Sequence, residues 1–129
     1  NFRILRKFST SNTDFNAGIE LGAKIGTPIY AAADGEVQQA GTVTDELGSS
    51  YGNYIILYHG ERNDKGIRTI YAHNSENLVK TGQFVKRGEI IARMGNTGQP
   101  VVADEGVLHF EIREVRKALD PIDILPPLE

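Results

Sequence analysis

Apolar and polar residues alternate along the segment GVLHFEIR, from Gly106 to Arg113, and this alternation predicts a half-buried β-strand. One face of the predicted strand is apolar and consists of Leu108, Phe110 and Ile112. The opposite face consists of Val107, His109, Glu111 and Arg113. A strand with a histidine and two charges opposite a hydrophobic row can pack against a core and still present chemistry. His109 is therefore a candidate functional residue.

Short apolar runs bounded by glycine recur along the rest of the chain, as in GNYIILYHG, GIRTIYAHN and GQFVKRGEIIARMGNTG. Runs of four to eight residues rich in Ile, Val and Tyr between Gly, Asn and Asp are typical of strands. The pattern predicts an all-β domain, an antiparallel sheet or sandwich with long glycine-rich loops along one rim. Only Ser75–Lys80 is predicted to form a helical turn, and Asp120–Pro121 is predicted to begin a turn-like tail.

Composition restricts the classes of function. The 129 residues fit one domain, 1–129, and the net charge of −3 without a basic run argues against a nucleic-acid partner. There is no cysteine, which excludes disulfides and thiolate zinc sites, and no apolar stretch is long enough to cross a membrane. Because the chain begins at Asn1 without Met, we expect it to be the C-terminal part of a longer exported protein, with any signal or membrane anchor upstream.

Three separated segments carry the polar side chains that a metal site needs. They are NAGIE with Asn16 and Glu20, YAHN with His73, and VLH with Val107 and His109. Each signal is weak alone, because a single histidine on a strand is more often a hydrogen-bonded structural residue than a ligand. His59, which ends YIILYH, is interpreted as a surface histidine at a strand end.

Together the three segments resemble the LytM/lysostaphin-type zinc peptidases of bacterial cell walls. The family pattern H-x-G-x-D is matched by NAGIE, and G-T-P-V-x-A-x-x-D-G-x-V by GTPIYAAADGEV. Y-G-N-x-V-x-I-x-H is matched by YGNYIILYH, Y-A-H by YAH, and H-L-H-F-E-I-R by VLHFEIR. The resemblance covers nearly the whole chain and implies the LytM, or duplicated-hybrid-motif, fold around a groove.

The resemblance also implies roles for the site residues. In active members the His and Asp of the first motif and the second His of H-L-H hold zinc, while the other two histidines orient water and substrate. At these positions this sequence has Asn16, Glu20 and His109 for the ligands, and His73 and Val107 for the catalytic pair.

These substitutions predict a domain without a metal, a cofactor or catalytic residues. An amide oxygen is a poor zinc ligand, and the longer side chain of Glu20 displaces its carboxylate. Val107 removes a general acid–base group whose role is typically worth roughly 10²–10⁴-fold in rate. Asn16, Glu20, His73, Val107 and His109 are then expected to form the floor of a binding groove.

A branch of the family with similarly degenerate sites, the NlpD- and EnvC-type proteins, activates peptidoglycan amidases during cell division. The segment YAHNSENLV resembles this branch. It implies a periplasmic or outer-membrane-anchored protein whose partner is an amidase or another cell-wall hydrolase, with peptidoglycan as a further partner. The segment Gln99–Gly106 is longer than the branch implies and is expected at the rim of the groove, where specificity usually lies. Two alternatives stay open: an active zinc metalloendopeptidase that cleaves peptidoglycan cross-links, and a pseudopeptidase that scaffolds an envelope complex.

Overall fold

The structure is a computed structural model that describes residues 2–11, 16–100, 102, 104–114 and 117–124. These residues form ten strands and two single-turn helices. The strands are β1 (Arg3–Arg6), β2 (Ile19–Ala23), β3 (Pro28–Tyr30), β4 (Gly35–Gly41), β5 (Asn53–Arg62), β6 (Lys65–Asn77), β7 (Phe84–Val85), β8 (Ile90–Met94), β9 (Gly106–Glu114) and β10 (Lys117–Leu119). The helices are α1 (Gly48–Tyr51) and α2 (Pro121–Ile124).

Every strand pairing in the described residues is antiparallel. The main sheet has the order β1-β2-β9-β6-β5-β4-β7, with β10 beside β9, and β8 connects β3 to the end of β6. The prediction of an all-β antiparallel fold is confirmed.

The core lies against one face of this sheet. Phe110 and Ile112 of β9 point into it, as the alternation along the strand predicts, and Tyr71 stands opposite Phe110 on β6. The buried core residues are Ile19, Ile29, Ala31, Val37, Ile55, Leu57, Tyr71, Val79, Val85, Ile91, Ala92, Met94, Phe110 and Ile112.

The register of β9 with its neighbouring strands determines which side chains share its other face. His109 lies opposite Glu20 of β2 and Ala72 of β6, and Glu111 lies opposite Ile70. Directly opposed residues of an antiparallel pair share one face of the sheet. The pairing therefore places the first and last polar segments side by side.

The prediction of a helical turn at Ser75–Lys80 is wrong. β6 continues to Asn77 because Glu76 and Asn77 pair with Arg93 and Ala92 of β8, which satisfies their backbone groups as a strand. Asp120–Pro121 leads into the single turn of α2, and α1 has no counterpart in the sequence-based expectations.

The segment Gln99–Gly106 is only partly described, since Val101 and Ala103 lie outside the described residues. Its two sides are joined by Asn96, whose Nδ2 donates to the carbonyls of Val102 at 2.9 Å and Glu105 at 2.7 Å. Among the helices that the structure describes, none has the length and apolar character needed to span a bilayer.

Candidate functional site

Asn16 and Glu20 of the first segment form a buried pair, each 4% exposed. The Nδ2 group of Asn16 donates to Glu20 Oε2 at 2.6 Å and to the Lys7 carbonyl at 3.0 Å. The Oδ1 of Asn16 accepts from the backbone N–H of Gly18 at 3.3 Å. The amide nitrogen of Asn16, not its oxygen, therefore faces the carboxylate.

His109 is held between two carboxylates. Its Nδ1 contacts Glu20 Oε1, and its Nε2 lies 2.8 Å from Glu111 Oε2. Ionised carboxylates only accept hydrogen bonds, so both ring nitrogens must donate and the ring carries a proton on each. Burial lowers the pKa of His109, but the hydrogen bonds and charges of Glu111 and Glu20 outweigh it and raise this pKa to about 9. His109 is therefore a buried cation at neutral pH.

Glu111 is the hub of the site and is 0% exposed. Besides His109, it accepts a hydrogen bond from the Tyr51 hydroxyl, and its Oε1 accepts from Arg113 Nε at 2.8 Å and forms an ion pair with Arg113 Nη2 at 2.6 Å. Burial alone would raise the pKa of Glu111, but these donors and the charges of His109 and Arg113 hold it below the ordinary value. Glu111 stays ionised and links β9 to α1.

Gly18 explains why the first segment can close over this hub. A Cβ atom at Gly18 would lie 2.8 Å from Glu111 Cγ and 2.3 Å from the Phe110 carbonyl oxygen. The Glu111 side chain thus occupies the space that a side chain at residue 18 would need.

Tyr51 ends helix α1 and forms a wall of the site, with its ring centroid 5.7 Å from that of His109. Burial and the adjacent Glu111 carboxylate raise the pKa of Tyr51 above its ordinary value, so the hydroxyl keeps its proton and donates. The backbone turns sharply after Tyr51 at Gly52, where φ is +67°. A Cβ there would lie 2.2 Å from Thr97 Oγ1, and one at Gly98 would lie 2.3 Å from the Gly52 nitrogen. The two loops therefore touch backbone to backbone.

His73 lies on the other side of His109, with ring centroids 6.2 Å apart. It has a φ of 71°, a left-handed conformation that is uncommon for a residue other than glycine. Its Nδ1 lies 2.8 Å from the Thr97 carbonyl and must donate to it, which leaves Nε2 unprotonated in the neutral ring. Burial and the charge of His109 lower the pKa of His73, although the Thr97 carbonyl and Glu20 act in the opposite direction.

Val107 is completely buried on the same face of β9 as His109, two residues before it. It lies opposite Gly22, and its backbone N–H donates to the Gly95 carbonyl at 2.8 Å. The structure thus brings Asn16, Glu20 and His109 into one hydrogen-bonded chain and places His73 beside it. Val107 offers this group only apolar surface.

His59 does not fit the interpretation as a surface histidine. It is half-buried, its Nδ1 donates to the Asp34 carbonyl at 2.7 Å, and its Nε2 lies 2.6 Å from Thr69 Oγ1. Burial lowers the pKa of His59 despite the Asp34 carbonyl. A Cβ at Gly35 would lie 2.8 Å from its ring, so His59 joins β4 to β5 as a structural residue.

The arrangement does not fit a zinc ion. Zinc needs about three protein lone pairs and an open position. The oxygen of Asn16 is turned to Gly18, both oxygens of Glu20 have hydrogen-bond partners, and both nitrogens of His109 face carboxylates. Among the described residues, no group of three or more His, Cys, Asp or Glu side chains is arranged to hold a metal.

Four residues of the site were not among the sequence-based candidates: Tyr51, Thr97, Glu111 and Arg113. The alternation along GVLHFEIR already places Glu111 and Arg113 on the face of His109, so it carried a usable signal for these two. Nothing in the local pattern around Tyr51 or Thr97 indicates that YGN and NTG meet at His73.

An antiparallel β-fold that brings these three polar segments together is the architecture that the sequence resemblance implies. The family model for "Peptidase family M23" matches residues 14–121. The chain belongs to this family.

Relatives and solved structures agree with this assignment. The chain is 42% identical to the uncharacterized lipoprotein YgeR of Escherichia coli over 125 residues, covering 97% of this chain and 45% of that protein. It is 39% identical to the murein hydrolase activator NlpD of E. coli, covering 96% and 29%. A zinc-containing peptidase from Vibrio cholerae has a TM-score of 0.78 at 30% identity, covering 97% and 37%. Lysostaphin from Staphylococcus simulans has a TM-score of 0.76 at 29% identity, covering 96% and 49%. The chain spans less than half the length of these proteins.

Proposed function

We propose that this domain is a non-catalytic regulator of cell-wall remodelling that binds and activates a peptidoglycan (N-acetylmuramoyl-L-alanine) amidase. The observation that carries the proposal is the position of His109, whose two ring nitrogens are both bonded to carboxylates. A relative named for murein hydrolase activation, at 39% identity, supports the regulatory role. The names of lipoprotein relatives support an exported protein in the periplasm or anchored to the outer membrane.

The proposed binding surface is the groove whose floor consists of Asn16, Glu20, His73, Val107 and His109. The hydrogen bonds that join Asn16, Glu20 and His109 fix the relative positions of these side chains and so define the shape of the proposed surface. Activation then requires only that the groove bind the active conformation of the amidase more tightly than the inactive one, because only that difference shifts the population.

A co-incubation assay tests the proposal. The purified domain is mixed with amidases of the same organism, and dye release from labelled sacculi is followed. We expect the domain alone to release nothing and to stimulate one amidase. No stimulation of any amidase would contradict the proposal.

An active zinc metalloendopeptidase is the second candidate. It is favoured by His73 and His109, which are retained at two positions of the family site, and by the similarity to the zinc-containing peptidase of V. cholerae. Metal content after purification in zinc-containing buffer separates the two candidates. Stoichiometric zinc together with cleavage of peptide cross-links would replace the first proposal with the second.

A further inference from the structure

Two arginines face each other beside the hub of the site. Arg68 of β6 lies directly opposite Arg113 of β9, in a register that runs without interruption from Ile67–Glu114 to Ala72–His109. Directly opposed residues have Cβ atoms about 4.5–5.5 Å apart and project from the same face of the sheet. Both arginines therefore project from the face that carries His109, and both are half-buried.

Only one of these two charges is compensated. Arg113 donates one hydrogen bond from Nε to Glu111 Oε1 and forms an ion pair with the same oxygen through Nη2. Arg68 has neutral neighbours: its Nε donates to Gln38 Oε1 at 2.6 Å, and its guanidinium lies 5.6 Å from the centroid of the Tyr58 ring. In the part of the chain that the structure describes, no carboxylate is within ion-pair distance of Arg68, and its two terminal amino groups have no hydrogen-bond partner.

This arrangement has an energetic cost that the fold itself does not explain. Like charges directly opposite each other on a sheet are destabilising. Gln38 and Tyr58 also hold the Arg68 guanidinium in one orientation, so little side-chain entropy is lost when an anion binds it. Guanidinium groups match the planar geometry of a carboxylate and bind it through paired N–H···O bonds.

We propose that Arg68 and Arg113 form a carboxylate-binding subsite whose occupant is an Asp or Glu side chain of the cell-wall hydrolase. This inference rests on the proposed function and specifies the chemistry of its partner. A protein side chain is favoured because Tyr51, Tyr58, Arg68 and Arg113 gather on one face, and tyrosine and arginine are the residue types enriched at protein–protein hot spots.

The affinity of the domain for the amidase that it stimulates tests the subsite. Arg68→Gln removes one charge-assisted pair, so we expect at least about tenfold weaker binding and a weaker dependence on salt. Arg68→Lys should recover part of the loss. Arg87→Gln changes the net charge equally on an exposed turn outside the groove and should bind as the wild type does.

The failures of the two proposals are distinguishable. If the wild-type domain stimulates an amidase and Arg68→Gln binds it equally well, the subsite is wrong and the proposed function stands. If Arg68→Gln loses binding to purified sacculi but not to the amidase, the subsite serves carboxylates of peptidoglycan peptides and the assigned occupant is wrong. If the wild-type domain stimulates no amidase, the function itself fails.

A second measurement does not depend on any partner. Acetate, as a probe for a carboxylate side chain, is titrated at constant ionic strength while the arginine Nε–H signals are followed by NMR. We expect the signals of Arg68 and Arg113 to shift together and Arg68→Gln to abolish the shift at Arg113. No shift at either arginine would overturn the subsite even if an amidase is stimulated.

Discussion

The two histidines of the site differ in charge and in hydrogen-bond partners. His109 lies between Glu20 and Glu111 and carries a proton on each nitrogen, whereas His73 donates to the Thr97 carbonyl and keeps a free Nε2 in the neutral ring. In the described part of the chain, this Nε2 has no hydrogen-bond partner. The site thus combines a closed ionic network with one open acceptor, and the two sides are expected to contribute differently to stability and to binding.

The largest expected effect is the loss of the hub. Glu111→Gln leaves His109 and Arg113 without their shared anion, and removal of one partner from a buried ion pair typically costs about 3–5 kcal/mol. The free energy of unfolding in urea measures this loss. Glu76→Gln on the exposed end of β6 is the matched control and should be near neutral. Similar stability of both variants would show that the ionic network does not hold the site together.

The second effect is a loss of stability at alkaline pH. The pKa of His109 is raised from about 6.5 in the unfolded chain to about 9, so its contribution is complete below the lower value and disappears as pH rises through the upper one. Linkage gives a loss of about 3 kcal/mol over this interval. Unfolding is measured across the interval with a chelator present. His109→Gln should show a flatter profile, and an unchanged profile would contradict the charge assigned to His109.

The smallest effect concerns His73, whose contribution to stability is lost at acidic rather than alkaline pH. The pKa of His73 is lowered, so its contribution is present above about 6.5 and is lost as pH falls from there through the folded value. His73→Ala should cost about 1 kcal/mol by losing the bond to Thr97.

His73→Asn is the companion variant and should lose less, because asparagine tolerates a positive φ better than alanine. Imidazole nitrogen shifts at neutral pH should show one proton on His73 and two on His109. A doubly protonated His73 would remove the contrast between the two histidines.

The fold was predictable because its information is local and repeated. The alternation along GVLHFEIR places Phe110 and Ile112 in the core and His109 on the opposite face, as the structure has them. The end of β6 was not predictable in this way, since pairing with β8 decides the conformation of Ser75–Asn77 against the local signal.

The site was only partly predictable because its decisive contacts join distant residues. The sequence indicates Glu20 and His109 as site residues. It does not indicate the contact between Tyr51 and Glu111, which are separated by 60 positions. The same limit explains the error at His59, whose bonds to Asp34 and Thr69 depend on the pairing of three strands.

The contact between Gly52 and Gly98 has a mechanical consequence. With no side chain between these backbones, the loop that carries Tyr51 and the loop that carries the Thr97 carbonyl cannot slide past each other. A partner that displaces the Tyr51 ring is therefore expected to move the Thr97 carbonyl that binds His73 as well. The two sides of the site should then move together.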